Sequence, residues 1–255
     1  MIVMLLAQLL AGQAAAPPPA ARVVPHELPF ASGEVLVYDA RVSMFGRVGG
    51  ATLRVDACPT GERDALLLSF HVEGRAAFLR VSDETRSWID PATLATLRYE
   101  KRESSPLGSY EESVTIFAEE RRWQDASGRS FRSASQLPLD ELSLLYFVRT
   151  LPLETGESEL GAGHFDDRRN PVHLRVRGRS FTDVPAGRFA VIDIELKVRD
   201  PRRYRGTGII RLQLTDDERR VPVRIRTSLP GTAPVTLELR STTAGNDDLP
   251  AGACG

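Results

Sequence analysis

The chain has 255 residues, of which 42% are hydrophobic and 26% charged, and its formal net charge is -1. That balance leaves no basic excess to neutralise a phosphate backbone or to hold an anionic membrane surface, and nucleic-acid binding is disfavoured. Apart from Lys101 and Lys197 the basic residues are all arginine, and their even spread reads as GC-rich codon usage before it reads as arginine-specific recognition.

Residues 2–10 form an apolar run followed by the small-residue stretch 11–16, the layout of a secretory signal with its cleavage zone. The run lacks a preceding Lys or Arg, and it is too short to cross a bilayer, which takes roughly 20 apolar residues in a helix. Residues 1–16 are therefore predicted to be a signal peptide, which leaves no transmembrane span in the mature chain. Residues 17–29 are rich in Pro and Ala and read as an extended tether. One β-rich domain is predicted over 30–242, and a tail over 243–255.

From Phe30 onward the dominant signal is alternation of period two, the mark of strands with one buried face. Strands are predicted at 33–43, 51–57, 66–72, 85–89, 98–103 and 110–117, with a short one near 121–123. The turn at Asp90 and Pro91 and the loop with Pro106 and Gly108 separate them. In the second half the pattern is cleaner. Val172, Leu174 and Val176 alternate with charged residues, as do Ile192, Ile194, Leu196 and Val198; Ile210, Leu212 and Leu214; Val221, Val223 and Ile225; and Val235, Leu237 and Leu239.

A sheet with one apolar face must cover it, and the chain supplies a helix for that purpose. Asp140 is a predicted N-cap for 141–151, because its carboxylate can accept from the free amides of the first turn. Leu142, Leu144, Leu145, Tyr146, Phe147, Val148 and Leu151 make this helix apolar nearly all round, as in a buried helix. The expected fold is mainly β: a strongly curved antiparallel sheet or open β-barrel whose concave side receives the helix at about 140–151.

Several phrases resemble a bacterial family of exported, uncharacterised envelope proteins, the domain of unknown function 3108. They are Gly33-Glu34 with Tyr38, Gly46 and Gly50-Ala51; Ser87-Trp88-Ile89-Asp90-Pro91 with Thr93-Leu94; Asp140, Leu142-Ser143, Tyr146 and Arg149; Val184-Pro185-Ala186-Gly187-Arg188-Phe189; and Leu212 to Asp216 with Arg220-Val221-Pro222-Val223. The resemblance implies an exported β-rich envelope protein. It carries over no catalytic or binding residue, and Cys58 and Cys254 stand outside its pattern.

The chemistry-bearing residues are few. His164, Asp166 and Asp167, with His173 close behind, are the weak candidates for a polar or metal site; the alternative is a charged loop entering a strand. No metal and no cofactor is predicted. Ser143 lacks a G-x-S-x-G context and reads as a hydroxyl satisfied within the helix. The acidic doublets Glu111-Glu112, Glu119-Glu120, Asp166-Asp167 and Asp216-Asp217 read as solvated turns. Arg149 shares a helix face with Tyr146, and a guanidinium on so apolar a helix demands a carboxylate from a strand or from a ligand. Leu142, Tyr146 and Arg149 are thus the ligand-cavity candidates. Cys58 and Cys254 either bridge, as an oxidising compartment allows, or stand as separate thiols. Three functions remain, in this order: a non-catalytic periplasmic or otherwise exported binding protein for an apolar, lipid-like small molecule; a scaffold contacting other envelope proteins; and a hydrolase using the loop 164–170.

Overall fold

A computed structural model of the protein describes residues 27–43, 45–59, 63–76, 79–105, 108–160, 163–246 and Cys254. The predicted signal at 1–16, residues 17–26 of the predicted tether, and 247–253 and 255 of the predicted tail lie outside the described residues.

Alternating apolar residues build long strands joined as successive hairpins. In chain order these are β1 (Val35–Val42), β2 (Gly46–Ala57), β3 (Leu66–Ala76), β4 (Leu79–Ile89), β5 (Thr96–Ser105), β6 (Gly108–Phe117), β7 (Arg122–Asp125) and β8 (Ser130–Arg132). After α1 (Glu141–Arg149) come β9 (Gly156–Glu159), β10 (His173–Val184), β11 (Gly187–Val198), β12 (Gly208–Thr215), β13 (Pro222–Ser228) and β14 (Val235–Thr243). They form one 14-stranded antiparallel sheet in the order β8-β7-β6-β5-β4-β3-β2-β1-β14-β13-β12-β11-β10-β9. The pairing of β14 with β1 joins the two runs of hairpins.

The sheet curls but does not close, because its edge strands β8 and β9 are not paired to each other. Both are short, which leaves little unpaired backbone for another chain to extend. The concave face carries the core: Leu36, Tyr38 and Ala40 of β1, Leu53 and Val55 of β2, Ile192, Ile194 and Leu196 of β11, and Leu212 and Leu214 of β12 belong to one buried cluster with α1. Each fully buried aliphatic side chain there contributes about 1.5–3 kcal/mol.

The capping of α1 follows the predicted logic with an added partner. Asp140 Oδ1 accepts from the amides of Leu142 (2.7 Å) and Ser143 (3.1 Å), and the Asp140 amide donates to Ser143 Oγ at 2.8 Å. The other carboxylate oxygen of Asp140 accepts from Thr96 Oγ1 at 2.8 Å and from Ser87, which ties the helix start to β4 and β5. At the far end Arg149 reaches the segment before β1 and the β12–β13 turn. The helix therefore lies across one end of the curled sheet, and it stops at Arg149, two residues short of the predicted 151.

Other boundaries differ for physical reasons. The strand predicted at 85–89 begins at Leu79, and the one entered at Val172 runs to Val184. A register shift between Val176 and Gly178 inserts an extra residue in β10, which reverses the alternation and hides the continuation. β8 and β9 are too short and too polar to show a period. Cys58 and Cys254 are disulfide-bonded with their Cα atoms 5.7 Å apart, and Cys58 packs with Leu67 and Trp88.

Candidate functional site

The loop after β9 does not reach outward. It fills the seam left between the two edges of the sheet. Phe165 is fully buried between Tyr99 and Trp123, with ring centroids 6.1 and 5.2 Å away. Leu139 and Phe165 exchange backbone contacts with this stretch, for the Phe165 amide donates to Leu139 O at 2.9 Å. Beside that apolar anchor sits Arg169, which donates to Glu141 (2.7 Å) and Glu112 (2.9 Å) and lies 3.4 Å from Asp200. One guanidinium thus joins α1, β6 and the β11–β12 loop. Arg202 adds ion pairs to Glu112 and Asp166, and Arg203 to Glu103 of β5.

The electrostatics of this cluster favour holding over reacting. His164 Nδ1 accepts from the Asp166 amide at 3.0 Å, and Nε2 lies 3.2 Å from the Arg169 guanidinium. Both ring nitrogens face donors, so a second proton would find no acceptor. Burial, reinforced by Arg169, pushes the imidazole down to about 3. Burial opposes ionisation of Glu141 too, but the attraction of Arg169 outweighs it and holds that carboxyl at about 2.

The residues singled out in this loop therefore separate. His164 and Asp166 are buried in the seam, Asp167 is exposed and accepts from the Ala134 amide at 2.8 Å, and His173 lies on the outer face of β10. There His173 lines an open groove of about 690 Å³ with Glu157, Arg175, Glu195, Lys197 and Arg199. Among the described residues no three His, Cys, Asp or Glu side chains gather as a metal-ligand set. One sequence expectation is corrected: Glu111-Glu112 is no turn but sits inside β6, with Glu111 pointing out and Glu112 into the seam. Strand alternation alone could have found that split; nothing local could have found its partner.

The helix residues are core. Leu142 and Tyr146 are 5% and 1% exposed, and the edge of the Tyr146 ring meets Phe30 at 4.8 Å. Arg149 forms a two-pronged ion pair with Glu34, at 2.7 and 2.8 Å, and also donates to the carbonyls of Pro29 and Arg219, both at 3.1 Å. Its carboxylate partner comes from the protein itself. Against α1, the concave face is filled by side chains.

The other end of the sheet is different. Along β14 the inward-facing residues go from Leu239 at 0% and Leu237 at 5% to Val235 at 37% exposure; along β4 they go from Ile89 at 1% and Thr85 at 3% to Val81 at 41%. Register places these ends together: Val235 pairs with Val42, the β1–β2 turn follows with Phe45, and Gly49 pairs with Gly74, which pairs with Val81. Phe70, Val72 and Ile210 are half-buried nearby. The curled sheet thus opens at the end away from α1 into a mouth of mixed lining, apolar along β1, β3 and β14 and charged where Asp83, Lys101 and Glu103 turn inward, with Lys101 Nζ 2.9 Å from Asp83.

A family profile described as "Protein of unknown function (DUF3108)" matches residues 37–240. Among solved structures the chain is similar to a β-barrel-like protein of the domain of unknown function DUF1849 from Brucella abortus, at 7% identity and a TM-score of 0.56, over 85% of this chain and 99% of that one. It also aligns with a protein of YmcC-like fold from Bacteroides fragilis at 12% identity, over 85% of this chain and 98% of that one, but with a TM-score of only 0.31. No curated protein matches. The first likeness supports the barrel-like fold alone, and the chain belongs to the DUF3108 family.

Proposed function

We propose that this DUF3108 protein is a non-catalytic, exported binding protein that takes an apolar or amphipathic, lipid-like ligand at the open end of its curled sheet. The observation that carries this reading is the exposure gradient along the concave face. Apolar residues that the strand period turns inward are covered by α1 at one end and left wet at the other, and exposed apolar clusters mark binding sites. The ligand would sit above the helix, with Leu142, Tyr146 and Arg149 as its floor and not its contacts. Export is supported by the Cys58–Cys254 bridge, which suits an oxidising compartment, and by the leader-like run at 2–10. No helix among the described residues is long and apolar enough to cross a membrane. The hydrolase reading has no support in the loop 164–170, whose polar groups are spent on the seam.

The scaffold reading keeps one observation in its favour. Among the described residues β10 beyond Val176 is paired only with β11, and Phe181 on this stretch is 69% exposed, an edge to which a partner strand could add. Native mass spectrometry of the protein purified from producing cells separates the two. A bound mass that organic solvent extracts as lipid supports the mouth. A bare protein, under conditions that preserve the cargo of a known carrier, refutes it and leaves the scaffold.

A further inference from the structure

The net charge of -1 conceals an uneven distribution. At the end away from α1, one loop and one hairpin are basic. The β11–β12 loop holds Arg199, Arg202, Arg203 and Arg205 against the single acid Asp200. Arg202, Arg203 and Asp200 are engaged in the seam, whereas Arg199 and Arg205 are exposed and, among the described residues, have no carboxylate within ion-pair distance. At the tip of the β3–β4 hairpin Arg75 stands directly opposite Arg80, again exposed and without an acidic partner. Arg226 on the outer face of β13 is opposite Arg211, which Glu195 already engages at 3.1 Å. Like charges placed directly across a ladder are unfavourable, so the Arg75–Arg80 pair lowers stability unless something anionic lies over it.

The acids on the same hairpin lie further back, Asp83 among them, where Lys101 pairs it at 2.9 Å. Glu73 is opposite Ser82 and Glu84 opposite His71, so relative to the Arg75–Arg80 pair they are displaced from the tip by about 7 and 13 Å at 3.3 Å per residue. At the α1 end the turns carry both signs, exposed Glu119 beside Arg121 and exposed Glu218 beside Arg219. Interleaved with the rim arginines are the wet apolar side chains Phe45, Val81 and Val235. Exposed apolar side chains beside guanidiniums suit a bilayer interface, where the former enter the acyl boundary and the latter meet phosphates.

We propose that this rim docks on an anionic lipid surface. The inference rests on the reading of the mouth as a ligand site and names the surface that the mouth would face, so that ligand could pass between membrane and protein without crossing water. Overall charge did not forbid this, because screening over about 10 Å makes a membrane respond to the rim and not to the distant α1 end.

The test is co-sedimentation of the full chain with vesicles of phosphatidylglycerol and phosphatidylethanolamine, and with vesicles of phosphatidylcholine alone. Wild type is expected to pellet with the first, to be released by salt raised to about 0.5 M, where screening shortens to a few ångströms, and to stay in solution with the second. Each rim arginine is expected to contribute about fivefold in affinity, so Arg75→Gln with Arg80→Gln, or Arg199→Gln with Arg205→Gln, loses roughly thirtyfold. Phe45→Ser is expected to lose about tenfold. All these side chains are exposed, so the melting temperature serves as the control for folding. Wild type that ignores anionic vesicles, or binds both kinds alike, overturns the proposal, as do arginine variants that bind undiminished. Its failure is distinguishable from failure of the mouth: a protein that carries lipid in native mass spectrometry but ignores vesicles refutes docking alone, and one that docks through its arginines with no cargo refutes the mouth alone.

Discussion

Replacing Glu34 by glutamine leaves the Arg149 guanidinium in place, 2% exposed, without the one carboxylate that pairs it among the described residues. Breaking a buried pair from one side costs about 3–5 kcal/mol, because the surviving charge stays desolvated. For a domain of this size each kcal/mol moves the melting temperature by roughly 2–4 °C, so Glu34→Gln is expected to melt about 6–20 °C early. Removing both partners behaves differently. Glu34→Leu with Arg149→Met leaves no orphaned charge, and the residual loss comes from the Pro29 and Arg219 carbonyls that Arg149 now serves, at about 1 kcal/mol each. The double variant should therefore lie roughly 2 kcal/mol below wild type and above Glu34→Gln. Urea titration of wild type, both single variants and the double variant measures all of this. A Glu34→Gln protein within about 1 kcal/mol of wild type, or a double variant less stable than either single one, would refute the idea that α1 is locked by a desolvated ion pair.

The seam yields further expectations. Arg169→Ala should cost on the order of 3–5 kcal/mol in urea, and Arg169→Lys should not restore it, since a point charge cannot address Glu112, Glu141 and Asp200 together. His164 titrates near 6.5 when unfolded and near 3 when folded. Between those values the unfolded chain binds the extra proton, so stability falls as pH drops through that window, by up to about 4–5 kcal/mol. Glu141, depressed to about 2, adds a second loss below its ordinary range near 4.5. His164→Gln should flatten the fall between about pH 6 and 4.5 and lessen it below, where the Glu141 share remains; an unchanged profile would exclude His164 as its source. Reduction of the Cys58–Cys254 bridge, which spans 196 residues of sequence, should lower stability by about 2–4 kcal/mol, read as a shift of the urea midpoint with and without reductant. Tyr146→Asp should destabilise the fold by more than about 4 kcal/mol by burying an unpaired charge, and an unchanged melting temperature would show that α1 is not core.

What the sequence disclosed was whatever one segment can express alone. The alternation of Ile192 to Val198 and of Val235 to Leu239, and the apolar surround of α1, are local periodicities with a single physical reading, and they give the β class, the curl and the covering helix. The seam was not legible for the opposite reason. Glu112, Glu141, Arg169 and Asp200 are ordinary charged residues in four separate segments, and only the order of the strands brings them together. β10 was half-read because a single bulge moves its side chains to the other face. The mouth was missed although each of its residues was seen, because a residue at the end of a strand carries the same period as one in the middle; what differs is whether anything covers it.

The two ends of the sheet follow from one constraint. A sheet of 14 strands closed into a barrel would enclose a lumen too wide for its own side chains to fill, as in barrels of comparable strand number. This chain avoids that by breaking the run between β8 and β9 and feeding the intervening segment back into the gap. That segment is short: α1 spans 9 residues, about 14 Å at 1.5 Å per residue, whereas the 12 residues of β2 or β11 extend about 40 Å. One helix can dry one end of such strands and no more. The seam ion pairs anchor it at the β4–β5 end, Arg149 anchors it beside β1, and neither anchor lets it slide toward Val81 and Val235. An open apolar end is therefore what remains when strands of this length are covered by a helix of this length. Lengthening α1 by two turns on its C-terminal side would not close it, because Arg149 already lies at the sheet's far side; only shortening the β1–β2 and β3–β4 hairpins would. A protein with those two hairpins cut back to Gly50 and Val72 loses the buried Ala40 and its pairing with Leu237, so it should be less stable than wild type but still unfold cooperatively in urea, and it should lose any ligand held at the mouth in native mass spectrometry. Retention of the ligand by the shortened protein would place the binding elsewhere.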